Sequence, residues 1–317
     1  MRRAGWQHID RPELSLIDRI SKVIAQHEFL NTDGLPQLNG TEPLVIASDF
    51  GGQHKQARYY TYAYLICQAG AAASLVRKCQ QLRRDKLGFE RTLSFKGLSD
   101  YRKREALPGF LIAADTTPGL LLCICIRKDV PLFLDEIVAE PDDDAINRFT
   151  NWNRRTRYQF LVIAHLCSLA VASISSKGQD VVWLSDDEAF TQTVEQIRDA
   201  TSIFSRILGS YLSHDLGHIR FGTSRLTDWN MQTEDLVSFP DLAAGAMAES
   251  APAANANVSE RLLDQPTLLE QGVKPKANFL TSWLFSDSVA ELKRVHVVVE
   301  PQDLAGTTVR ALHGYIS

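Results

Sequence analysis

The stretch VIASDFGGQHK, residues 45–55, decides the fold prediction. Its apolar run reaches Asp49 and then meets Gly51 and Gly52, a pair that favours a tight turn. The segment after this turn, ARYYTYAYLI (57–66), is rich in aromatic residues that favour strands. We therefore predict two antiparallel strands joined at the turn, with a carboxylate near the end of the first strand.

Further strand-like and helix-like segments extend this hairpin into a mixed α/β sheet with helices on both faces. Predicted strands follow at TLSFKGL (92–98), GLLLCICIRKD (119–129), DVVWLSDDE (180–188) and HIRFGTSRL (218–226). Helical apolar stripes are found in 12–29, 72–87, 157–175 and 190–212, and a helix is predicted to begin at Ser238 or Phe239.

The chain is expected to have three parts. Residues 1–39 are predicted to form an N-terminal helical extension, 40–250 the main domain, and 251–317 a linker and C-terminal appendage. RVHVVVEPQDL (294–304) predicts a buried strand in this appendage, packed against the main domain or a second copy of the chain. The appendage is thus the expected route to a homo-oligomer or a protein partner.

Charge and cysteine content limit the classes of function. The net charge of −4 does not suit a protein that binds nucleic acid by bulk positive charge, so such contact would need a local patch or a metal ion. The five cysteines are odd in number and include no C-x-x-C pair, which is typical of reduced thiols in a cytoplasmic protein. No signal-peptide pattern and no apolar run of membrane-spanning length are evident, so no membrane association is expected.

Acidic residues recur where predicted strands end and a predicted helix starts. Asp49 ends the first strand, Asp186 and Asp187 end the strand VVWLS, and Asp241 falls in the first turn of the helix FPDLAAGAMAE. Such positions converge at one edge of an α/β sheet. Gathered carboxylates repel one another unless a cation is present, and Mg²⁺ or Mn²⁺ prefers oxygen ligands. Two such ions can activate water and stabilise the leaving oxygen of a phosphodiester.

Each acid taken alone also has an ordinary structural explanation. An Asp after a strand often forms a turn, and an Asp in the first turn of a helix matches the helix dipole. The prediction of a site therefore depends on all three positions together, and it leaves open which of Asp186 and Asp187 is the ligand.

The order of these segments resembles an uncharacterised prokaryotic family known as domain of unknown function 3800. The matching segments are ASDFGG (47–52), LSFKGL (93–98), LLLCICIRKD (120–129), VVWLSDDE (181–188) and FPDLAAGAMAE (239–249). The resemblance implies an RNase H-like fold over roughly residues 40–250 and a metal-dependent nuclease site. It places Lys96 at the position of a family lysine. In a site, Lys96 would orient water or neutralise phosphate charge, whereas a lysine at the edge of the sheet with its ammonium in solvent would give the same pattern. Members often lie near mobile or defence genes, which implies a role in phage defence.

One departure from the family pattern leaves two functions open. The family often has a Glu two residues before its lysine, whereas this chain has Ser94, and Glu90 is four residues too early to replace it. The first function is a metal-dependent phosphodiesterase or nuclease. The second is an interaction module that kept an RNase H-like fold without the chemistry.

Two other enzyme classes find little support in the sequence. Asp49-Phe50-Gly51 spells the metal-binding triplet of protein kinases, but the accompanying kinase motifs are missing. The chain also contains no G-x-x-x-x-G-K-[ST] or G-x-G-x-x-G loop, so a nucleotide-binding protein is not favoured.

Basic residues form the predicted substrate contacts. His54 and Lys55 follow the Gly-Gly turn and would overhang the carboxylates. Arg154, Arg155 and Arg157 alternate with aromatic residues, a mixture that suits phosphate contact and base stacking. Solvated helix faces and core aromatics would produce the same pattern, so both interpretations remain open.

Overall fold

The computed structural model describes residues 5–11, 14–30, 34–88, 90–130, 143–186, 190–223, 230–256, 273–286, 290–302 and 306–312. Asp187 and much of the predicted linker lie outside these residues. The helices are α1 (Ser15–Leu30), α2 (Ala69–Leu82), α3 (Tyr101–Asp115), α4 (Asp144–Thr150), α5 (Arg154–Ile174), α6 (Val194–Tyr211), α7 (Asn230–Ala256) and α8 (Pro275–Leu284). The strands are β1 (Leu44–Gly51), β2 (Tyr59–Gln68), β3 (Gly119–Arg127), β4 (Val181–Ser185), β5 (Ile219–Thr223), β6 (Leu292–Gln302) and β7 (Gly306–Leu312).

These strands form one mixed sheet in the order β5-β4-β1-β2-β3-β6-β7. The first three strands are antiparallel neighbours, and β4 and β5 continue in parallel from β1. Strand β6 pairs in parallel with β3, and β7 pairs antiparallel with β6. The predicted α/β class and the predicted hairpin are confirmed, and the arrangement of β1 to β5 is consistent with an RNase H-like sheet.

The turn after β1 explains why two glycines follow one another. Gly52 has a φ of +79°, a conformation that side chains with a Cβ rarely adopt. A Cβ at this position would also lie 1.9 Å from the carbonyl oxygen of Tyr59. The turn therefore requires glycine, and it fixes the pairing of Gly51 with Thr61.

Two apolar cores lie on opposite faces of the sheet. One contains side chains of α1, α4, α5 and α6, and the other contains side chains of α2, α3, α7 and α8. Successive residues of β1 alternate between them, so that Ile46 and Phe50 face the first core and Ala47 faces the second. All five cysteines are buried and free.

Helix α5 is long and strongly apolar, as its sequence predicts. Its length and composition would allow it to cross a membrane, but 83% of its most apolar stretch is buried inside the fold. Central helices of a core have the same properties, so this is weak evidence for a membrane span.

The predicted strand at 92–98 is wrong. Leu93, Phe95 and Leu98 are buried, but the segment forms an irregular turn followed by a 3₁₀ helix, Lys96–Ser99. The Ser94 hydroxyl accepts a hydrogen bond from the N–H of Gly97 at 3.1 Å, which closes the turn. The alternation of apolar residues thus reflects packing against α7 and not pairing within the sheet.

The predicted start of the helix at Ser238 or Phe239 is also wrong. Helix α7 runs from Asn230 to Ala256, so Pro240 lies inside it and Asp241 lies 11 residues after its first residue. Ser-Phe-Pro-Asp looks like a helix start because Ser caps helices and Pro is common in their first turn. The position of Asp241 therefore has no explanation in the helix dipole, which acts only on the first and last turns.

A buried ion pair fastens α7 to the end of α2. Arg83, in a π-helical turn that continues α2, donates a hydrogen bond of 2.8 Å to Asp235, and both side chains are 1% exposed. Asp235 precedes Asp241 on the same helix by six residues, so this pair helps to set the position of α7 along the sheet.

Replacing Asp235 with Ala should lower the free energy of unfolding by about 3–5 kcal/mol, because it leaves the buried guanidinium without its carboxylate. The double variant Arg83→Met with Asp235→Leu should lose less than the single variant, since it removes both charges together. Urea unfolding followed by circular dichroism measures both. A double variant that is less stable than Asp235→Ala would contradict this role for the pair.

The appendage is part of the sheet. Val295, Val297 and Val299 of β6 are buried in the first core, and α8 packs on α7. The predicted strand within 294–304 is confirmed. The predicted domain boundary at residue 250 falls inside α7.

A chain that ends at residue 256 should lose solubility, because it exposes the paired edge of β3 and the apolar contacts of β6 and α8. A chain that ends at residue 302 keeps β6 and should be affected much less. Size-exclusion chromatography and thermal unfolding compare the two. Equal solubility and stability of the 256-residue chain and the full chain would show that the appendage is independent.

Candidate active site

Asp49 lies near the end of β1 and faces α7. It follows Ala47 by two residues and therefore points to the same face of the sheet, the face covered by the second core. The side chain is largely buried, with 8% of its surface exposed. The carboxylate that the sequence places near the end of a buried strand is thus Asp49 of β1, which α7 covers.

Asp186 reaches the same face from the neighbouring strand. Ser48 of β1 is in register with Ser185, the last residue of β4, so Asp186 is the next residue along and lies beside Asp49. Trp183 packs in the first core and Leu184 against the second, which puts Asp186 on the side of Leu184 and α7. Adjacent strands are about 4.8 Å apart, so these two backbones are close.

Asp241 is brought to the sheet by small residues on α7. The Thr61 hydroxyl of β2 donates to the carbonyl oxygen of Ala244 at 3.0 Å, so this turn of α7 lies directly on the strands. Gly245 touches the ring of Phe95, and a Cβ there would lie 2.3 Å from the ring carbon Cγ. Larger side chains at these positions would hold the helix away from the sheet, and Asp241 with it.

The segment around Phe95 completes the site. Its N–H donates a hydrogen bond of 2.5 Å to the Asp241 carboxylate. The next residue, Lys96, has an exposed side chain whose charge acts on Asp241. Lys276 of α8 donates to the carbonyl oxygen of Phe95 at 2.8 Å and lies over its ring, which anchors the segment from the other side.

The electrostatics of Asp241 show that the four groups are near one another. The pKa of Asp241 is raised to about 6 by the balance of several effects. Burial is the largest cause and the charge of Asp186 acts in the same direction, whereas the Phe95 N–H, the charge of Lys96 and a hydrogen bond with Asp49 lower the pKa. Two carboxyl groups can hydrogen-bond only when one of them holds a proton. The contact between Asp49 and Asp241 therefore requires a shared proton when no cation is bound.

Of the predicted ligands, the structure brings together Asp49, Asp186 and Asp241, with the predicted Lys96 beside them. The carboxylate oxygens are the donors that Mg²⁺ or Mn²⁺ prefers. Their spacing is wider than in a closed three-ligand site, since among the described residues a 4.8 Å cluster of ligand atoms is found at His8, Asp10 and Asp18 and not here. Asp18 in that other cluster is already paired with Lys22 at 2.7 Å.

The predicted substrate contacts divide into two groups. His54, Lys55, Arg154 and Arg155 have exposed side chains at the β1–β2 turn and the start of α5. Arg157 is half-buried and donates a 2.5 Å hydrogen bond to the carbonyl oxygen of Thr150, which gives it a structural role. The first group lies at the same end of the sheet as Asp49, because the turn follows β1 directly.

Two contributors were not apparent from the sequence. The Phe95 N–H is a backbone donor and has no sequence signature. Lys128 follows β3 and donates a 2.7 Å hydrogen bond to the carbonyl oxygen of His54, so it joins the turn. Its position in CIRKD, at the end of a strand antiparallel to β2, could have placed it at this edge of the sheet.

No protein-family model matches this chain, and no curated protein matches its sequence. The resemblance to domain of unknown function 3800 therefore stays a prediction based on the order of its motifs.

Replacing Gly245 with Ala should displace the Phe95 segment and lower the affinity of the site for its ligand, because the new Cβ collides with the Phe95 ring. The matched control is Gly209→Ala on α6, where a Cβ meets no atom within 4 Å. This control should be neutral or stabilising by up to about 1 kcal/mol. Thermal unfolding and Mn²⁺ titration compare them, and identical behaviour of the two variants would contradict the close packing at Gly245.

Proposed function

We propose that this protein is a metal-dependent phosphodiesterase that cleaves nucleic acid. The observation that carries the proposal is the meeting of Asp49, Asp186 and Asp241 on one face of one sheet edge, with Lys96 beside them. These carboxylates come from two parallel strands and a helix. Asp49 is buried, and Asp186 and Asp241 are half-buried.

The residues of the chain would have distinct roles in this reaction. Asp49, Asp186 and Asp241 would hold Mg²⁺ or Mn²⁺, which when bound supplies Lewis acidity and an activated water. The Phe95 N–H orients the Asp241 carboxylate, and Thr61 holds the helix that carries it. Lys96, whose side chain is exposed, would donate to a phosphate oxygen and offset charge that develops there.

An inactive interaction module is the second candidate, and Ser94 favours it. The resemblance implies a Glu at this position, but the Ser94 hydroxyl is occupied in closing the turn before Lys96. The cluster then has one carboxylate fewer than the resemblance implies. A protein that bound neither Mg²⁺ nor Mn²⁺ would favour the interaction module over the phosphodiesterase.

Asp49→Asn should abolish metal-dependent cleavage while keeping the fold, because it retains the shape of the side chain and removes the charge of a ligand. The metal-free variant should be slightly more stable than the parent, since one of the repelling charges is lost. Cleavage of a panel of DNA and RNA, single- and double-stranded, with EDTA, Mg²⁺ or Mn²⁺ tests the first point, and thermal unfolding in EDTA tests the second.

The matched control for charge removal is Glu249→Gln. Glu249 lies eight residues after Asp241 on α7, and its carboxylate pairs with Lys274 at 2.7 Å. This variant should cleave like the parent. Cleavage that survives Asp49→Asn would indicate chemistry elsewhere or a contaminating nuclease. A parent protein inert on the whole panel, with no ion detected by calorimetry, would favour the interaction module.

Lys96→Ala should lower turnover on the order of 100-fold, the scale of losing one donor to a transition-state charge. Ion affinity should not fall, because Lys96 repels a cation. Lys78→Ala, at the opposite end of the sheet near Thr116, is the control and should change neither quantity. A loss of Mn²⁺ affinity in Lys96→Ala with unchanged turnover would exclude the role given to this side chain.

A further inference from the structure

A group of cations and aromatic rings lies where the β1–β2 turn meets the start of α5. It consists of Lys55, Lys128, Arg155, Tyr60 and Tyr158, which we call the loop–α5 surface. Lys128 joins the turn through the carbonyl oxygen of His54 at 2.7 Å, and Arg155 reaches the carbonyl oxygen of Gln53 at 3.4 Å. Three parts of the chain thus hold positive charge together, although the whole protein carries a net charge of −4.

The two central cations are held side by side by neutral groups. Within the described residues, the hydrogen bonds of Lys128 and Arg155 go to carbonyl oxygens and not to carboxylates. Asp129, next to Lys128 in the chain, is bound by Arg127 through two hydrogen bonds of 2.7 Å. Burial and the nearby charge of Arg155 lower the pKa of Lys128. Such a pair attracts an anion, because an anion relieves the repulsion between the cations.

The aromatic rings beside these cations differ in exposure. Tyr158, four residues into α5, is 42% exposed, whereas Tyr60 is half-buried and packs against the first core. The Lys128 ammonium lies 4.8 Å from the centre of the Tyr60 ring, so the cation is held over an aromatic face. Cations beside an exposed ring suit a polymer that alternates phosphates with flat bases.

The surface lies at the same end of the sheet as the carboxylates but at a distance from them and on the opposite face, because Tyr60 and α5 pack against the first core and Asp49 faces the second. Asp49 is in register with Ala63 and thus with Cys123, and Lys128 lies five residues beyond Cys123. At about 3.3 Å per residue and 4.8 Å per strand, the separation is roughly 15–20 Å. A stacked strand with 3.4 Å between nucleotides would cover it with about five nucleotides.

We infer that the loop–α5 surface binds a single-stranded segment of nucleic acid, with phosphates at Lys128 and Arg155 and a base stacked on Tyr158. This inference rests on the proposed function, because nucleic acid is taken as the ligand from there. It adds that the nucleic acid is single-stranded when it reaches the carboxylates. Duplex is disfavoured because its bases are already stacked and do not offer a face to Tyr158.

Binding can be tested without cleavage. Fluorescence anisotropy in EDTA measures the affinity for a labelled 20-nucleotide single strand and for the matching duplex. The double variant Lys128→Ala with Arg155→Ala should bind the single strand at least about tenfold more weakly and should reduce the salt slope by about 1 to 2. Tyr158→Leu should weaken single-strand binding about tenfold and leave duplex binding unchanged, because it removes only stacking.

Lys78→Ala is the control for charge loss, since Lys78 also donates to neutral groups, the carbonyl and hydroxyl of Thr116, at the opposite end of the sheet. If Lys78→Ala lost as much affinity as the double variant, the inference would be overturned. It would also be overturned if the parent bound duplex and single strand equally well, or if poly-glutamate displaced the labelled strand as well as an unlabelled single strand does. A parent chain that binds no oligonucleotide would likewise overturn it.

The anisotropy result is independent of the cleavage result. Binding that depends on Lys128, Arg155 and Tyr158 in a protein that cleaves nothing with Mg²⁺ or Mn²⁺ would support the surface and refute the proposed enzyme. Cleavage without any effect of these three residues on binding would refute the surface and leave the enzyme in place.

Discussion

The close approach of α7 to β1 and β2 is the constraint on which the rest of the structure depends. Thr61 binds the backbone of the helix at Ala244, and Gly245 leaves just enough room for the ring of Phe95. A helix this near the sheet buries its own apolar side chains and also carries Asp241 to Asp49. Packing and the position of Asp241 therefore have the same origin, so a change that moves α7 away from the sheet would also open the acidic site.

Burial of several carboxylates together opposes folding, because desolvation and mutual repulsion both disfavour their charged forms. The Phe95 N–H and Lys96 offset part of this cost at Asp241. The proposed divalent ion would offset the remainder. A protein that gained nothing from these acids would be more stable with apolar residues in their place, which is the physical argument for a functional site.

The hairpin, the α/β class and the strand of the appendage could be predicted, because each depends on local periodicity and turn chemistry around residues such as Gly52. The grouping of Asp49 with Asp186 followed from the convergence of strand ends. Phe95 and Asp241 were misplaced within their elements, because alternation at Leu93 and Phe95 imitates a strand and Ser-Phe-Pro-Asp imitates a helix start. The end of β3 places Lys128 at this edge of the sheet, but its hydrogen bond to His54 spans 74 residues and has no local sequence signature.

Strand β6 also has a consequence for how the protein is made. It pairs with β3 from Gly119–Leu292 to Ile126–Val299, so partners 173 residues apart (292 − 119) must meet. During synthesis at about 5–20 residues per second, β3 would wait roughly 10–35 s for its neighbour. Its apolar segment LLLCICI would meanwhile form an open edge that other nascent chains could extend. The order in which the ribosome delivers the strands thus leaves this side of β3 unpaired until β6 has been made.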